Sequence, residues 1–498
     1  MTLANLKSRI DRITDILRRD DGISGAMHYT EQISWILFLK YLHDYEERKA
    51  QDALLDGKQY KYIIDTQFRW DSWAYPMKDG VYDLKGAKGG EDLIEFINDK
   101  LFPYLQDFKA NIEEVKTVKY KIGAVFEFIN NRIASGHTLR EIIENIADLD
   151  FQSQEDLFEL SVIYENLLKG MGSDGGNSGE FYTPRPVIKA MVDVMQPEVG
   201  ERKPYKTIYD GAVGSSGFLI QAYDYLMKDK NKYSTTKLKH IKEEMFFGNE
   251  KTPLAYVMGV MNMILHGIES PNIYKQNTLT QNIRDFQEKD RHNYILANPP
   301  FGGKEKKTLY QNFPIQSSAT ELLFMQHFMK KLAKGGKSAI VIPEGVLFQT
   351  NNAFKAVKED LLENFNLHTI LSLPAGVFLP YSGVKTDVIF FDRKGGTSDI
   401  WYYEINLDRK LTKNKPIEFA HLEEFVKLYK KRSTTENSWK VKAKDIIENN
   451  YDLSAKNPAK IKDVIHKAPI EIIAELKSND KEINALLTDI DKLIKKGY

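Results

Sequence analysis

The sequence contains no cysteine among its 498 residues. Disulfide bonds, cysteine-ligated zinc, iron–sulfur clusters and a catalytic thiolate are therefore excluded. The chain also carries no net charge, because 70 basic and 70 acidic side chains cancel. A chain with this balance is not a polycationic coat for nucleic acid. A role on DNA would need locally clustered charge or a basic partner.

Long hydrophobic runs are absent as well. No apolar stretch reaches the roughly 18 residues that a membrane helix needs, and the first nine residues contain no apolar signal core. We therefore expect a cytoplasmic protein without membrane association. The remaining composition is ordinary for a globular protein, with 42% hydrophobic and 28% charged residues. The length predicts roughly two to four domains, large enough to fold without disulfides or structural metals.

Two regions show the apolar spacing of helices. Residues 1–168 are predicted to form an N-terminal helical domain, because apolar residues such as Ile10, Ile13 and Leu17 recur at helical intervals. Residues 411–498 are predicted to form a helical, partner-binding C-terminal region. Near its end is an apolar seam of nearly heptad spacing, which packs either on its own domain or on another chain. The seam consists of Leu476, Ile483, Leu486, Ile490 and Leu493.

Residues 169–410 show a different pattern. They begin with a glycine-rich stretch at 170–179, after which short β-rich runs alternate with helical segments. This alternation is typical of a doubly wound α/β sheet, in which ligands bind at the carboxyl ends of the strands. The β-rich runs are Thr207–Tyr209, Met245–Phe247, Tyr294–Ala297, Ser338–Ile342, Thr369–Leu371 and Asp387–Phe391.

One candidate binding motif is a glycine-rich turn between a strand and a helix, Asp210-Gly211-Ala212-Val213-Gly214-Ser215-Ser216-Gly217. Glycines allow close approach of the backbone to a ligand, and a helix N-terminus attracts carboxylate or phosphate groups. The spacing matches neither Gly-x-Gly-x-x-Gly nor a Gly-Lys-Ser/Thr loop. Dinucleotide and P-loop interpretations are therefore disfavoured.

Three further signals flank this turn. Gly179-Glu180-Phe181-Tyr182-Thr183-Pro184-Arg185 precedes a helix, and its Thr-Pro pair suits a helix start. Glu250 ends the next predicted strand, where an acid is well placed to bind ribose hydroxyls. Asn298-Pro299-Pro300-Phe301 directly follows a third strand. Its prolines fix the backbone, so the Asn298 side chain and the Pro299 carbonyl can be held rigidly.

Together, and in this order, these motifs resemble the S-adenosylmethionine-dependent amino-methyltransferases. Over nearly the whole chain the sequence is similar to the methylation subunit of bacterial type I restriction–modification systems, an adenine-N6 DNA methyltransferase. The resemblance also rests on Met261-Asn262-Met263-Ile264-Leu265-His266-Gly267 and Leu373-Pro374-Ala375-Gly376-Val377-Phe378. It implies a Rossmann-like, doubly wound class I methyltransferase sheet with an N-terminal helical domain and a C-terminal helical tail.

The resemblance also implies a site without metal. Its catalytic residues are Asn298, Pro299, Pro300 and Phe301. Phe181 to Pro184 would cover the methionine end of the cofactor, Asp210 and the turn would hold its backbone, Glu250 its ribose and Asn277 its adenine. The full set of implied cofactor-binding residues is Glu180, Phe181, Tyr182, Thr183, Pro184, Arg185, Asp210, Gly211, Ala212, Gly214, Ser215, Ser216, Gly217, Glu250 and Asn277.

The sequence departs from the family pattern in several places. Gly211, Val213 and Ser216 stand where such subunits usually have Pro, Cys and Gly, and Glu180 and Asn277 stand where Gln and Asp are common. Ser216 places a side chain in a turn that touches the cofactor. One alternative is therefore a catalytically weakened scaffold of the same assembly. Another is a protein-glutamine or rRNA amino-methyltransferase, because those enzymes also use Asn-Pro-Pro loops.

The expected reaction moves a methyl group to the exocyclic amino group of adenine in double-stranded DNA. The target base must be flipped out of the duplex, and Phe301 is placed to stack on it. The segment after Phe391 looks too short and too helical to read a bipartite DNA site. The resemblance implies that a separate specificity subunit reads DNA, with two copies of this chain in the complex, and that a restriction subunit joins them.

Overall fold

The computed structural model describes residues 3–79, 81–110, 117–147, 149, 183–268, 271–379, 382–460 and 469–496. Glu180, Phe181, Tyr182 and the glycine-rich stretch at 170–179 lie outside these residues. The chain divides into two compact units, Met1–Ala455 and Lys456–Tyr498. The first unit contains the sheet and the candidate site, and the second contains a C-terminal helix.

The N-terminal region is helical, as predicted. Ile10, Ile13 and Leu17 share one face of the first helix and are buried, and the second helix buries Trp35 and Phe38 completely or nearly so. A π-helical segment, Phe96–Leu101, joins α4 to α5, and a short hairpin is formed by β1 (Met77–Lys78) and β2 (Val81–Tyr82). The helices are α1 Leu3–Leu17, α2 Ala26–Leu55, α3 Trp70–Trp73, α4 Gly90–Glu95, α5 Phe102–Ala110, α6 Val118–Phe126 and α7 Gly136–Ala147.

A nine-stranded mixed sheet forms the centre of the first unit, in the order β11-β10-β8-β9-β7-β6-β3-β4-β5. Strands β5, β4, β3, β6 and β7 run parallel, whereas β9 lies antiparallel between β7 and β8. Each of the predicted β-rich runs overlaps a strand. The strands are β3 Ile208–Asp210, β4 Phe246–Glu250, β5 Asn272–Lys275, β6 His292–Ala297, β7 Leu332–Pro343, β8 Asn366–Ser372, β9 Thr386–Asp392, β10 Asp399–Glu404 and β11 Ser438–Lys442.

Helices cover both faces of the sheet. Successive residues of β7 alternate between two apolar layers, with Val341 in one and Ile340 and Ile342 in the other. Apolar runs without polar alternation are expected for strands buried on both sides. The helices of this unit are α8 Arg185–Met195, α9 Gly217–Met227, α10 Thr235–Glu243, α11 Pro253–Leu265, α12 Lys307–Tyr310, α13 Thr320–Lys331, α14 Gly345–Phe348, α15 Asn352–Asn364, α16 Glu423–Tyr429 and α17 Ala443–Glu448.

The strand order reverses beside β3. The chain runs outward from β3 to β4 and β5, then returns to β6 on the other side of β3. In open α/β sheets a ligand crevice forms at such a reversal, outside the carboxyl ends of the strands. The topology thus places the residues after β3 and those after β6 on opposite sides of one crevice.

The region predicted to be helical from residue 411 also contributes to the sheet. Its segment Ser438–Lys442 forms β11, which pairs antiparallel with β10 and forms the edge of the sheet. The second unit contains α18, Pro469–Lys496. The described side chains of its predicted seam are exposed, and Leu493 lies outside the described side chains. No helix within the described ranges is long and apolar enough to cross a bilayer.

Candidate active site at the carboxyl edge of the sheet

The predicted motifs meet at one edge of the sheet. Asp210 ends β3, Glu250 ends the adjacent β4, and Asn298 directly follows β6. A cleft with an empty volume of about 290 Å³ lies here. It brings the glycine-rich turn together with Thr183, two residues before α8, and the start of the Asn-Pro-Pro loop. Its lining residues are Thr183, Ile188, Ala212, Val213, Gly214, Ser215, Gly217, Phe218 and Asn298.

Asp210 is a buried carboxyl group that is only half satisfied. Its Oδ1 accepts a hydrogen bond of 2.9 Å from the N–H of Ala212. Its Oδ2 is buried and has no hydrogen-bond partner among the described residues. Burial raises the pKa of Asp210 to about 8; the Ala212 bond opposes the shift, and nearby Glu250 adds to it. A buried acceptor without a partner is costly, so this oxygen is suited to a donor that a ligand brings.

Glu250 links the glycine-rich turn to the end of β4 through hydrogen bonds. Its Oε2 accepts from the N–H of Gly214 at 2.9 Å, and its Oε1 accepts from the N–H of Thr252 at 2.7 Å. Burial raises the pKa of Glu250, and these two N–H groups counteract the shift. Each carboxylate oxygen has two lone pairs, so the side chain retains acceptor capacity for ribose hydroxyls.

The turn itself needs left-handed backbone at two positions. Gly214 has φ +52° and Ser216 has φ +65°. Glycine adopts this conformation without strain, whereas serine does not. The Ser216 hydroxyl donates a 3.0 Å hydrogen bond to the Gly259 carbonyl on α11. The side chain is thus directed to the neighbouring helix, and Ser216 does not line the cleft.

The sequence predicted no contact between α11 and the glycine-rich turn. In the structure this helix holds the turn in place. The Asn262 side chain donates to the Ser215 carbonyl at 2.9 Å. A Cβ added at Gly259 would lie 2.6 Å from the Gly214 carbonyl oxygen, so only glycine allows this approach. The Thr278 hydroxyl adds a 2.6 Å bond to the Gly211 carbonyl. The sequence signal for this contact was an asparagine within an otherwise apolar helix, because a polar side chain buried there needs a hydrogen-bond partner.

The Asn298 amide is fixed from one side. Its Nδ2 donates to the Thr183 hydroxyl at 3.0 Å, whereas its Oδ1 is buried and has no partner within the described part of the chain. Pro299 is buried, and Pro300 and Phe301 are partly exposed. The Phe301 ring packs edge to face on Phe378, with ring centroids 5.9 Å apart. The loop therefore offers a rigid acceptor beside a partly exposed aromatic ring.

Some predicted residues support the site without lining the cleft. The Arg185 guanidinium donates to the Gly217 carbonyl at 3.1 Å, beside the start of α9. Asn277 accepts from the N–H of Leu279 at 3.0 Å and so caps a short 3₁₀ turn. Pro184, Asp210, Gly211 and Glu250 likewise do not line the cleft. Within the described residues, no group of three or more histidine, aspartate or glutamate side chains is arranged to hold a metal ion.

Comparison with known families agrees with this geometry. The N-6 DNA methylase family matches residues 153–467, and the HsdM N-terminal domain family matches residues 6–146. The type I restriction enzyme EcoEI methylase subunit of Escherichia coli is 34% identical, with 98% of each chain covered. The EcoKI methylase subunit of Escherichia coli K12 is 28% identical, covering 89% of this chain and 80% of that one.

Two solved structures are similar over almost their full length. A modification subunit ascribed to a type I restriction enzyme of Vibrio vulnificus YJ016 is 36% identical, with a TM-score of 0.81 and coverage of 93% of this chain and 99% of that one. A chain from a structural study of type I restriction–modification assembly is 37% identical, with a TM-score of 0.78 and coverage of 99% and 98%. The chain therefore belongs to the family of type I restriction–modification methylase subunits, which are adenine-specific N-6 DNA methyltransferases.

Proposed function

We propose that this chain transfers a methyl group from S-adenosylmethionine to the N6 amino group of adenine in DNA, with Asn298 as the central catalytic residue. The observation that carries the proposal is the Asn298 Oδ1, which has no partner within the described residues and whose amide is held through Nδ2 by Thr183, in the same cleft as the glycine-rich turn. Family membership favours this reaction over methylation of protein glutamine or rRNA.

The residues around the cleft fit the cofactor. The Asp210 Oδ2, which has no partner in the described part of the chain, offers an acceptor for a cationic donor. The turn leads into the N-terminus of α9, which favours a carboxylate. Asp210 and residues 214–217 would hold the methionine portion, Glu250 the ribose and Asn277 the adenine. Thr183 and Pro184 would cover the methionine end together with Phe181 and Tyr182. When bound, S-adenosylmethionine supplies an electrophilic methyl sulfonium.

The catalytic loop would act on the other reactant. The Asn298 Oδ1 and the Pro299 carbonyl would accept hydrogen bonds from the two hydrogens of the adenine amino group and stabilise the positive charge that develops on nitrogen. The methylated nitrogen then releases one proton to solvent. The Asn298 Nδ2 is bonded to the Thr183 hydroxyl, which leaves Oδ1 as the acceptor. Phe301 would stack on the flipped base while its ring packs perpendicular to that of Phe378.

Type I methylase subunits act on DNA together with specificity and restriction subunits, and we propose two copies of this chain per specificity subunit. We further propose that α18 binds the specificity subunit through its seam. Leu476, Ile483, Leu486 and Ile490 are each more than half exposed. A helix with one apolar stripe and charged remaining faces is stabilised by burying that stripe.

The test uses the complex with its specificity subunit, expressed in a host that lacks adenine methylation. Sequencing of host DNA locates methylated bases, and calorimetry measures cofactor binding. We expect N6-methyladenine at one recurring sequence, loss of the mark in Asn298→Ala, and cofactor affinity within a few fold of wild type. Methylation by Asn298→Ala would overturn the assignment of Asn298. Absence of cofactor binding by the wild-type complex would favour the weakened scaffold.

A further inference from the structure

A lysine-bearing segment follows the catalytic loop directly. It consists of residues 302–307 and contains Lys304, Lys306 and Lys307, all of which are exposed. Across the described ranges, no ion pair joins any of these three lysines to a carboxylate, although exposed lysines elsewhere in the chain form such pairs. The segment therefore presents positive charge next to the catalytic residues in a chain whose overall charge is zero.

The segment is held in place by its neighbours. The backbone of Lys304 bridges to Ala319, and the N–H of Glu305 donates to the Ser318 carbonyl at 2.7 Å. The carboxylates of the two nearby acids also accept hydrogen bonds within the fold. Glu321 accepts from the N–H of Gly302, and Glu305 accepts from the Thr320 hydroxyl at 3.2 Å. The carboxylates are thus engaged within the fold, while the lysine side chains remain in solvent.

An open cleft lies beside the segment, with an empty volume of about 760 Å³. Its polar lining consists of Lys304, the hydroxyls of Ser317 and Ser318, the amides of Gln349 and Asn351, and the Glu321 carboxylate, which already accepts from the N–H of Gly302. Hydroxyl, amide and ammonium groups are the side chains that contact phosphate and sugar oxygens in DNA complexes. This cleft shares no lining residue with the cofactor cleft, so it is available to the other substrate.

We propose that the lysine segment and this cleft bind the phosphodiester backbone of the target strand next to the flipped adenine. The inference rests on the proposed function, since it assigns a surface to the DNA substrate of that reaction. Extruding a base costs unpairing and unstacking energy, so the enzyme must hold the strand close to the flipped nucleotide. Phosphate contacts fix register without reading sequence, which suits a subunit whose partner reads the DNA site.

The test compares three forms of the complex with the specificity subunit. One is wild type, one carries Lys304→Gln, Lys306→Gln and Lys307→Gln, and one is a matched control with the same change at Lys430, Lys440 and Lys442. The control lysines are also exposed and lie on β11 and at the end of α16, far along the sheet from β6. Fluorescence anisotropy measures binding to a labelled duplex containing the methylated sequence, over a salt series.

Each lost phosphate contact lowers the slope of log affinity against log salt by about 0.9. We expect the slope of the segment variant to fall by about two to three, with cofactor affinity within twofold of wild type and the control unchanged. Equal slopes in all three complexes would overturn the proposal. Binding does not depend on turnover. A reduced slope in a complex that methylates nothing therefore supports this surface while contradicting the proposed function.

Discussion

The hydroxyl of Thr183 accepts a 3.0 Å hydrogen bond from the side-chain amide of Asn298, which lies 115 residues later in the chain. The contact joins the segment before α8 to the loop after β6, across the crevice at the reversal of strand order. It holds the amide with Nδ2 against the hydroxyl, so that Oδ1 is the end without a partner among the described residues. In the proposed reaction Thr183 is therefore a positioning residue, whereas Asn298 would contact the target base.

Replacing Thr183 tests this relationship. In Thr183→Val the shape is retained but the acceptor is lost, so the Asn298 amide is free to rotate. We expect kcat to fall about 10- to 100-fold, which corresponds to about 1.4–2.7 kcal/mol of the barrier, because the acceptor remains but loses its fixed orientation. KM for DNA should change less than threefold. Steady-state methylation kinetics provide the measurement, and Thr183→Ser should restore most of the rate. A serine variant as slow as valine would contradict the role of the hydroxyl.

Two substitutions distinguish base stacking by Phe301 from a purely structural role of its ring. Phe301→Ala should weaken capture of the flipped base by about 1–3 kcal/mol, the usual value of a base–aromatic stack. Phe301→Tyr keeps the ring and should retain partial activity. KM for DNA and thermal unfolding are measured on both variants. If the alanine and tyrosine variants have equal kinetics, the ring serves only its contact with Phe378.

The effect of Ser216 depends on where its side chain points. Ser216→Ala keeps the left-handed backbone but loses the bond to Gly259, so its free energy of unfolding should fall by about 1 kcal/mol. Ser216→Gly also relieves the backbone strain, which offsets the lost bond. Urea unfolding should thus rank alanine below both serine and glycine. Calorimetry should give cofactor affinities within a few fold in all three forms, because the side chain faces α11. A large gain in affinity for glycine would instead place the hydroxyl against the cofactor.

Asp210 makes the stability of the cofactor-free protein depend on pH. Its pKa of about 8 in the fold exceeds the ordinary aspartate value, so the folded state retains a proton that the unfolded chain releases. The stability this group contributes is complete below about pH 4 and is lost as pH rises to about 8. Asp210→Asn cannot ionise and should lack that loss.

The free energy of unfolding of Asp210→Asn relative to wild type should rise by about 1.4 kcal/mol per pH unit from about pH 5 to about pH 8. Denaturant titrations at several pH values measure it. Cofactor affinity should fall about tenfold or more in the same variant, because the anionic acceptor is gone. A pH-independent difference would show that Asp210 is ionised throughout this range.

The sheet could be predicted from sequence mainly where it is buried on both faces. The six predicted runs are apolar segments that fall on β3, β4, β6, β7, β8 and β9. Strand β10 was missed, although its residues 400–403 are buried and it lies inside the sheet. The missed β5 is four residues long, with Tyr274 and Lys275 exposed at the edge of the sheet. The missed β11 alternates buried Trp439 with exposed lysines, and only pairing with β10 distinguishes it from a polar helical segment. Edge strands depend on partners distant in sequence, which local pattern does not reveal.

Local sequence also predicts one part of the candidate site and not the other. Asp210 ends β3 and Asn298 directly follows β6, so local sequence places both at the carboxyl edge of the sheet. Gly259 and Asn262 act on the turn only because α11 packs against it, and that depends on tertiary structure. The predicted domain limits at residues 168 and 410 and the roles of Glu180, Phe181 and Tyr182 remain predictions.

Assembly through the seam of α18 can be tested with two charge-matched variants. Ile483→Lys and Leu486→Lys together place two cations in the seam, whereas Asn484→Lys and Thr488→Lys add the same charge on the opposite face. All four residues are exposed, so both variants should fold and bind cofactor. Burial of two large aliphatic side chains contributes about 3 kcal/mol or more, so the seam variant should bind the specificity subunit at least about 100-fold more weakly.

Co-purification and titration with the specificity subunit measure this difference, and deletion of residues 468–498 should reproduce the seam variant. The opposite-face variant should assemble and methylate like wild type, because its substitutions leave the apolar stripe intact. Two results would contradict docking through the seam. Aggregation of the deleted form would mean that the helix stabilises its own chain, and normal assembly of the seam variant would mean that the specificity subunit binds elsewhere.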